Sequence, residues 1–233
     1  MAEDSLSMAG ARGIGYRLSV ALRARRAFLR WLFRIIFHIL CRIRVEGKEN
    51  IPKKGSYLIA FNHISLFEPP LVLCFWPSAP EAIAGADVFE RPWQKILVRG
   101  YAAIPVHRGE YDRKVIDAML AALRAGQPLA IAPEGGRSHT PGLRRALPGV
   151  AHMVDQANVP VVPVGVVGST EDMLKRALRG KRPLLEMKIG KAFLPPRLEG
   201  KGADRREMRQ ANADLVMRAI AALLPADYRG VYG

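Results

Sequence analysis

The sequence predicts an α/β domain. Apolar runs of strand length recur at residues 57–61, 101–106, 128–132, 159–167 and 184–189. Segments with apolar residues at helical spacing lie between them, the alternation expected of helices packed on a sheet. With 233 residues the chain can bury a real core in one such domain, with room for a short extra segment.

The first element in order is basic. Nine arginines and no acid lie between Arg12 and Arg44. Within that stretch Phe28, Leu29, Trp31, Leu32, Phe33, Ile35, Ile36, Phe37, Ile39 and Leu40 form an apolar block. Arg23, Arg26, Arg30, Arg34 and His38 fall within roughly a 120° arc of a helical wheel, and the rest of the circumference is apolar. A membrane-spanning helix is disfavoured, because Arg30 and Arg34 would each cost about 3 kcal/mol at a bilayer centre. A helix lying in the interface would instead gain about 1 kcal/mol for each arginine near anionic lipid. Residues 1–45 are therefore expected to form amphipathic, membrane-associating helical structure on the cytosolic face, ahead of a second domain at 46–233. Glu3, Asp4 and the interrupting arginines argue against a secretory signal.

Residues 57–61 read as a buried strand ending just before His63. Residues 88–98 read as a helix interrupted by Pro92, and 101–106 as the next strand. From 112 to 125 the apolar positions Val115, Ile116, Met119, Leu120 and Leu123 share one helical face, with Gly126 as the stop signal. Residues 128–132 form a short buried strand feeding a Gly-Gly loop. Residues 150–157 follow as helix, 159–167 and 184–189 as strands, and 205–224 as a long closing helix. Cys41 and Cys74 lack paired-motif spacing and sit in apolar sequence, which reads as buried thiols in a reducing, cytosol-facing compartment.

Three segments carry chemistry. In Asn62-His63-Ile64-Ser65-Leu66-Phe67-Glu68 a histidine stands five residues before a carboxylate. An imidazole whose second nitrogen is held by a carboxylate is a general base, able to take a hydroxyl proton as that oxygen attacks. In Pro133-Glu134-Gly135-Gly136-Arg137-Ser138 consecutive glycines can turn backbone N–H groups inward around an anion, and Arg137 adds a forked donor for phosphate oxygens. Glu134 would orient Arg137 or meet a substrate hydroxyl. The third is Val159-Pro160-Val161-Val162-Pro163-Val164. Sites in such sheets gather at strand ends, where most of these motifs fall. His107, His139 and His152 read as exposed or structural histidines, and no pair has zincin spacing.

This ordered set resembles the glycerolipid acyltransferase family, the 1-acylglycerol-3-phosphate (lysophosphatidic acid) acyltransferases. That family carries an Asn-His-x4-Asp block, a second block ending in a phosphate-contacting arginine, a Pro-Glu-Gly-Thr-Arg-Ser block and a Val-Pro-hydrophobic-hydrophobic-Pro-Val block. They match Asn62–Glu68, residues 100–108 ending in Arg108, Pro133–Ser138 and Val159–Val164 here, and the likeness spans about residues 45–195. Two positions depart: Glu68 stands for aspartate and Gly136 for threonine. The resemblance implies a central mixed sheet flanked by helices and an O-acyltransferase that makes phosphatidic acid. His63 would be the base and Glu68 its orienting partner. Asn62, Arg108, Glu134, Gly135, Gly136, Arg137 and Ser138 would form the acceptor site. Acyl-CoA or acyl-ACP would be the co-substrate, with neither cofactor nor metal. Transfer would be direct, since no serine or cysteine sits in a nucleophile elbow. Glu68 keeps open a different acceptor, such as another lysophospholipid, a lyso-ornithine lipid or a glycolipid, or a lipid-binding protein without catalysis.

The formal charge of +15 demands an anionic partner. Nucleic acid is the rival to a membrane surface. Against it, the arginines are interleaved with a continuous apolar face and no nucleic-acid-binding motif is present. A second basic cluster (Lys175, Arg176, Arg179, Lys181 and Arg182) is either a solvated helix end or a further contact with anionic lipid or with the donor's phosphates.

Overall fold

The computed structural model describes residues 16–107 and 112–233. Its strands are β1 (Arg42–Glu46), β2 (Leu58–Phe61), β3 (Glu81–Gly85), β4 (Ile104–Val106), β5 (Leu129–Ile131), β6 (Val161–Val167) and β7 (Leu184–Ile189). They form one mixed sheet in the order β1-β7-β6-β2-β5-β3-β4. All neighbours are parallel except β6 and β7. The helices are α1 (Val20–Leu40), α2 (Glu68–Phe75), α3 (Gln94–Tyr101), α4 (Arg113–Arg124), α5 (Gly149–Ala157), α6 (Met173–Leu178) and α7 (Gly202–Ala221).

Strand β2 runs through the middle, with Ile59 opposite Ala130 of β5 and Val162 of β6. Both its faces are covered, so all four residues are buried, as in a parallel sheet with helices on either side. The two-residue side-chain period divides them. Leu58 and Ala60 join the core under α4, α5 and α7, and Ile59 and Phe61 join the core under α1, α2 and α6. Asp112 caps α4 by accepting from the Lys114 and Val115 N–H groups, and Gly126 follows with φ +82°.

Several boundaries differ from the expectation. The strand foreseen at 101–106 begins at Ile104, because Tyr101 ends α3 with its hydroxyl donating to the Pro80 carbonyl at 2.7 Å. The closing helix starts and ends three residues early. Strand β1, helix α2 and strand β3 were not foreseen, and β1 straddles the division drawn at residue 45, pairing with β7 in the main sheet.

Helix α1 forms, but the middle of its polar stripe, Arg26, Arg30 and Arg34, turns towards the protein, while Arg23 and His38 at its ends are exposed. Arg26 is buried, its guanidinium paired with the buried carboxylate of Glu81 and its Nε donating to Tyr101 O at 2.8 Å. Arg30 donates to Leu73 O at 2.9 Å and also to Trp76 O, and Arg34 to Cys74 O and Trp76 O. Those carbonyls belong to the C-terminal end of α2, where unpaired acceptors and the negative end of the helix dipole attract cations. The outer face of α1 is apolar instead: Phe28, Trp31, Ile35 and Ile39 lie exposed along one stripe. Helix α3 packs beside it, close enough that a Cβ on Gly100 would meet Leu29 at 3.4 Å, and adds exposed Trp93, Ile96 and Leu97. No helix among the described residues is long and apolar enough to cross a membrane. Trp76 is core, its indole N–H donating to the Tyr57 hydroxyl. Cys41 and Cys74 are free, buried thiols, and burial pushes Cys74 up to about 12.

Candidate active site

Strand β2 delivers His63 to its C-terminal end, and the short turn through Ser65 leads into α2, whose first residue is Glu68. The His63 Nδ1 lies 3.0 Å from Glu68 Oε2. The Glu68 carboxylate is fully buried and ringed by donors: the Ser65 N–H to both oxygens, at 3.0 and 2.9 Å, and the Ser65 and Ser169 hydroxyls to Oε1. An acceptor-only carboxylate at Nδ1 selects the tautomer with hydrogen there and leaves Nε2 its lone pair. The extra methylene of glutamate is thus accommodated without losing the histidine contact.

His63 lies on the wall of a cavity of about 340 Å³. Glu134, Gly135, Gly136 and Arg137 line it too, so residues 71 to 74 positions apart in sequence from His63 converge with it as the motifs imply. Their roles are more specific than foreseen. Glu134 is buried and does not orient Arg137. Its Oε1 accepts from the His63 backbone N–H at 2.8 Å and its Oε2 from Arg144 N–H at 2.9 Å. Burial raises the Glu134 pKa, against the opposing pull of those two donors. Gly135 has φ +69°, a backbone conformation that favours glycine, and a Cβ there would have to displace the end of the exposed Leu147 side chain. Its N–H is spent on Ala132 O at 3.1 Å, and the N–H groups of Ser138 and His139 on His63 O and Ile64 O. The loop is therefore stitched to the histidine segment rather than opened as a full anion nest. At Gly136 the absent side chain leaves open the space beside the Arg144 guanidinium, 3.8 Å from an ideal Cβ.

Two foreseen acceptor contacts sit elsewhere. Asn62 is buried and spends its amide on the backbone of Val166, donating to its carbonyl at 2.9 Å and accepting its N–H at 2.7 Å. It extends the β2–β6 pairing by a side chain. The Ser138 hydroxyl donates to Thr140 O at 2.7 Å, within its own loop. Arg108 lies outside the described residues.

The cavity also holds residues that the motifs do not announce: Arg91 from the segment before α3, Gln94 at the start of that helix, and Arg144 and His139 from the loop after β5. Among the described residues neither Arg137 nor Arg144 has an ion-pair partner, whereas Arg91 pairs with Asp87. Arg144 donates to Arg137 O at 3.2 Å, bringing the two guanidinium-bearing residues side by side. His139, foreseen as a plain exposed loop histidine, has φ +67° and meets the Glu171 carboxylate at the rim. Only an unremarkable Arg-Arg pair marks position 144 in the sequence. His152 sits on α5, away from the cavity lining, as expected. In the second basic cluster Arg182 caps α1, donating to His38 O at 2.7 Å. The arrangement as a whole can take a proton from a hydroxyl while cations hold a nearby phosphate.

A family model described as Acyltransferase matches residues 42–167, just over half of the chain. Over 139 residues the chain is 26% identical to a 1-acyl-sn-glycerol-3-phosphate acyltransferase of Borreliella burgdorferi, covering 59% of this chain and 56% of the relative. The chain thus spans little more than half the length of that protein. In three dimensions it superposes on the crystal structure of the 1-acyl-sn-glycerophosphate (LPA) acyltransferase of Thermotoga maritima with a TM-score of 0.63. That alignment is 20% identical and covers 95% of this chain and 87% of the other. At that identity the likeness speaks for the shared fold.

Proposed function

From the premise that the chain belongs to the acyltransferase family, we propose that it moves a fatty acyl group from acyl-CoA or acyl-ACP to the free hydroxyl of 1-acyl-sn-glycerol 3-phosphate, giving phosphatidic acid. One observation carries this reading: His63, with Glu68 buried behind it, lines the same cavity as Arg137 and Arg144. The acceptor hydroxyl oxygen attacks the thioester carbonyl while His63 Nε2 takes its proton. Collapse of the tetrahedral intermediate breaks the C–S bond, and the imidazolium returns the proton to the leaving thiolate. Glu68 holds the imidazolium charge through Nδ1. The thioester supplies the activation, and the arginines hold the acceptor's phosphate.

The test is a mass-spectrometric readout of products from mixed lysolipids. The expected product is phosphatidic acid from the phosphate-headgroup acceptor. Arg137→Ala should lower kcat/KM for that acceptor by about 10-fold or more, the value of a hydrogen bond to a charged group. Equal acylation of neutral and zwitterionic lysolipids would overturn the acceptor assignment.

The same reading includes a peripheral site on the cytosolic leaflet. Supporting it are the stripe of Phe28, Trp31, Ile35 and Ile39 on α1, the neighbouring Trp93 and Ile96, and the excess of cations. Trp31 is 57% and Ile39 65% exposed, a large apolar cost unless lipid covers them. Trp31→Ser with Ile39→Ser should weaken partitioning onto anionic vesicles by about 10-fold or more, read by co-sedimentation. Unchanged partitioning would contradict the assignment of this face.

A further inference from the structure

Glu68 is held from two sides, and the two sides differ in kind. Ser65 belongs to the turn that carries the dyad, three residues before Glu68, and would move with it. Ser169 comes from another element, the loop that leaves β6, and it is fully buried. Since an ionised carboxylate only accepts, the Ser169 hydroxyl must donate its single hydrogen to Oε1.

The backbone around Ser169 is built to aim it. Upstream, the Asn62 amide locks Val166 to the end of β2 through both of its hydrogen bonds. Between them Gly168 turns with φ +89°, where an ideal Cβ would stand 2.2 Å from Leu184 O, so no other residue fits the turn unstrained. The Gly168 N–H donates to the Tyr228 hydroxyl at 3.2 Å, which holds the turn from the far side. The same loop continues to Glu171, which meets His139 at the cavity rim.

We propose that Ser169 is a positioning residue for acyl transfer: its hydroxyl holds Glu68 Oε1 so that Oε2 stays on His63 Nδ1. A glutamate has one more rotatable bond than an aspartate, and an anchor contributed by the sheet removes that freedom. The longer carboxylate at position 68 and the serine at 169 are in this view one device. The inference rests on the reading of His63 as the base.

Ser169→Ala removes one buried oxygen and leaves the small volume almost unchanged. It should lower kcat by about 10-fold or more with KM for the lysolipid within about twofold. In a Glu68→Ala background, which leaves Ser169 no side chain to hold, the same replacement should change kcat by less than about twofold, since Ser169 acts through Glu68. Ser169→Cys, nearly isosteric with a weak donor, should behave as the alanine variant does. A readout independent of turnover is the low-field proton resonance of His63 Nδ1–H, assigned by its loss in His63→Ala, which should move upfield in Ser169→Ala. Equal losses of kcat in both backgrounds, a cysteine variant with the wild-type rate, or an unmoved resonance would each overturn the proposal. If wild-type protein forms no ester at all, the functional reading fails, while the resonance still decides the role of Ser169.

Discussion

Replacing His63 by alanine is expected to lower kcat by about 10²–10⁴-fold, the range in which a positioned general base contributes. The effect should fall on kcat, because the ring touches the hydroxyl proton and not the phosphate. Folding should survive. The ring is partly exposed on the cavity wall, and Glu68 keeps its Ser65 and Ser169 donors when the imidazole is gone. A thermal melt alongside the kinetics separates loss of chemistry from loss of structure. Glu68→Gln should give a smaller loss than His63→Ala, since the amide can still accept from Nδ1–H but cannot balance an imidazolium charge. Turnover unchanged in His63→Ala would mean that His63 is not the base.

The second large effect is on stability. Arg26→Ala should destabilise the fold by about 3–5 kcal/mol, a fall in Tm of roughly 6–20 °C, because it strands the Glu81 carboxylate in the interior. Burial works against the Arg26 charge, and the hydrogen-bonded Glu81 carboxylate outweighs it, so the net effect is to raise its pKa. The guanidinium also lies over the Tyr101 ring, 4.7 Å from its centroid, and donates to Tyr101 O. Replacing both partners at once, Arg26→Met with Glu81→Leu, should recover most of the loss, since no lone charge remains. Arg26→Ala with an unaltered Tm would mean that α1 is not latched to the domain through this pair.

Helix α1 marks a boundary in what a sequence discloses. Periodicity placed Arg26, Arg30 and Arg34 on one face of a helix, and the structure agrees. Which face turns inward depends on the free carbonyls of α2 and on Glu81, 55 residues away from Arg26, and a helical wheel contains neither. Arg26, Arg30 and Arg34 therefore meet protein groups instead of a lipid surface, while the apolar stripe stays on the outside. The His63–Glu68 pair was legible because both partners lie in one turn. The Glu134–Arg137 loop was legible as chemistry but not as hydrogen bonding, since the bonds of Glu134 run to the backbone of His63 and Arg144. Arg144, His139 and Ser169 enter the site by tertiary folding alone. Strand β1 was hidden by its arginines: Arg42 and Arg44 continue the basic stretch, yet with Glu46 they alternate with Ile43 and Val45 in the half-buried pattern of an outer strand.

The most direct measurement of the central claim is a crystal structure with 1-acyl-sn-glycerol 3-phosphate bound. The free hydroxyl oxygen is expected about 3 Å from His63 Nε2, within hydrogen-bond reach, and the phosphate on the guanidinium groups of Arg137 and Arg144. A phosphate held on another surface, with the hydroxyl out of reach of His63, would contradict it.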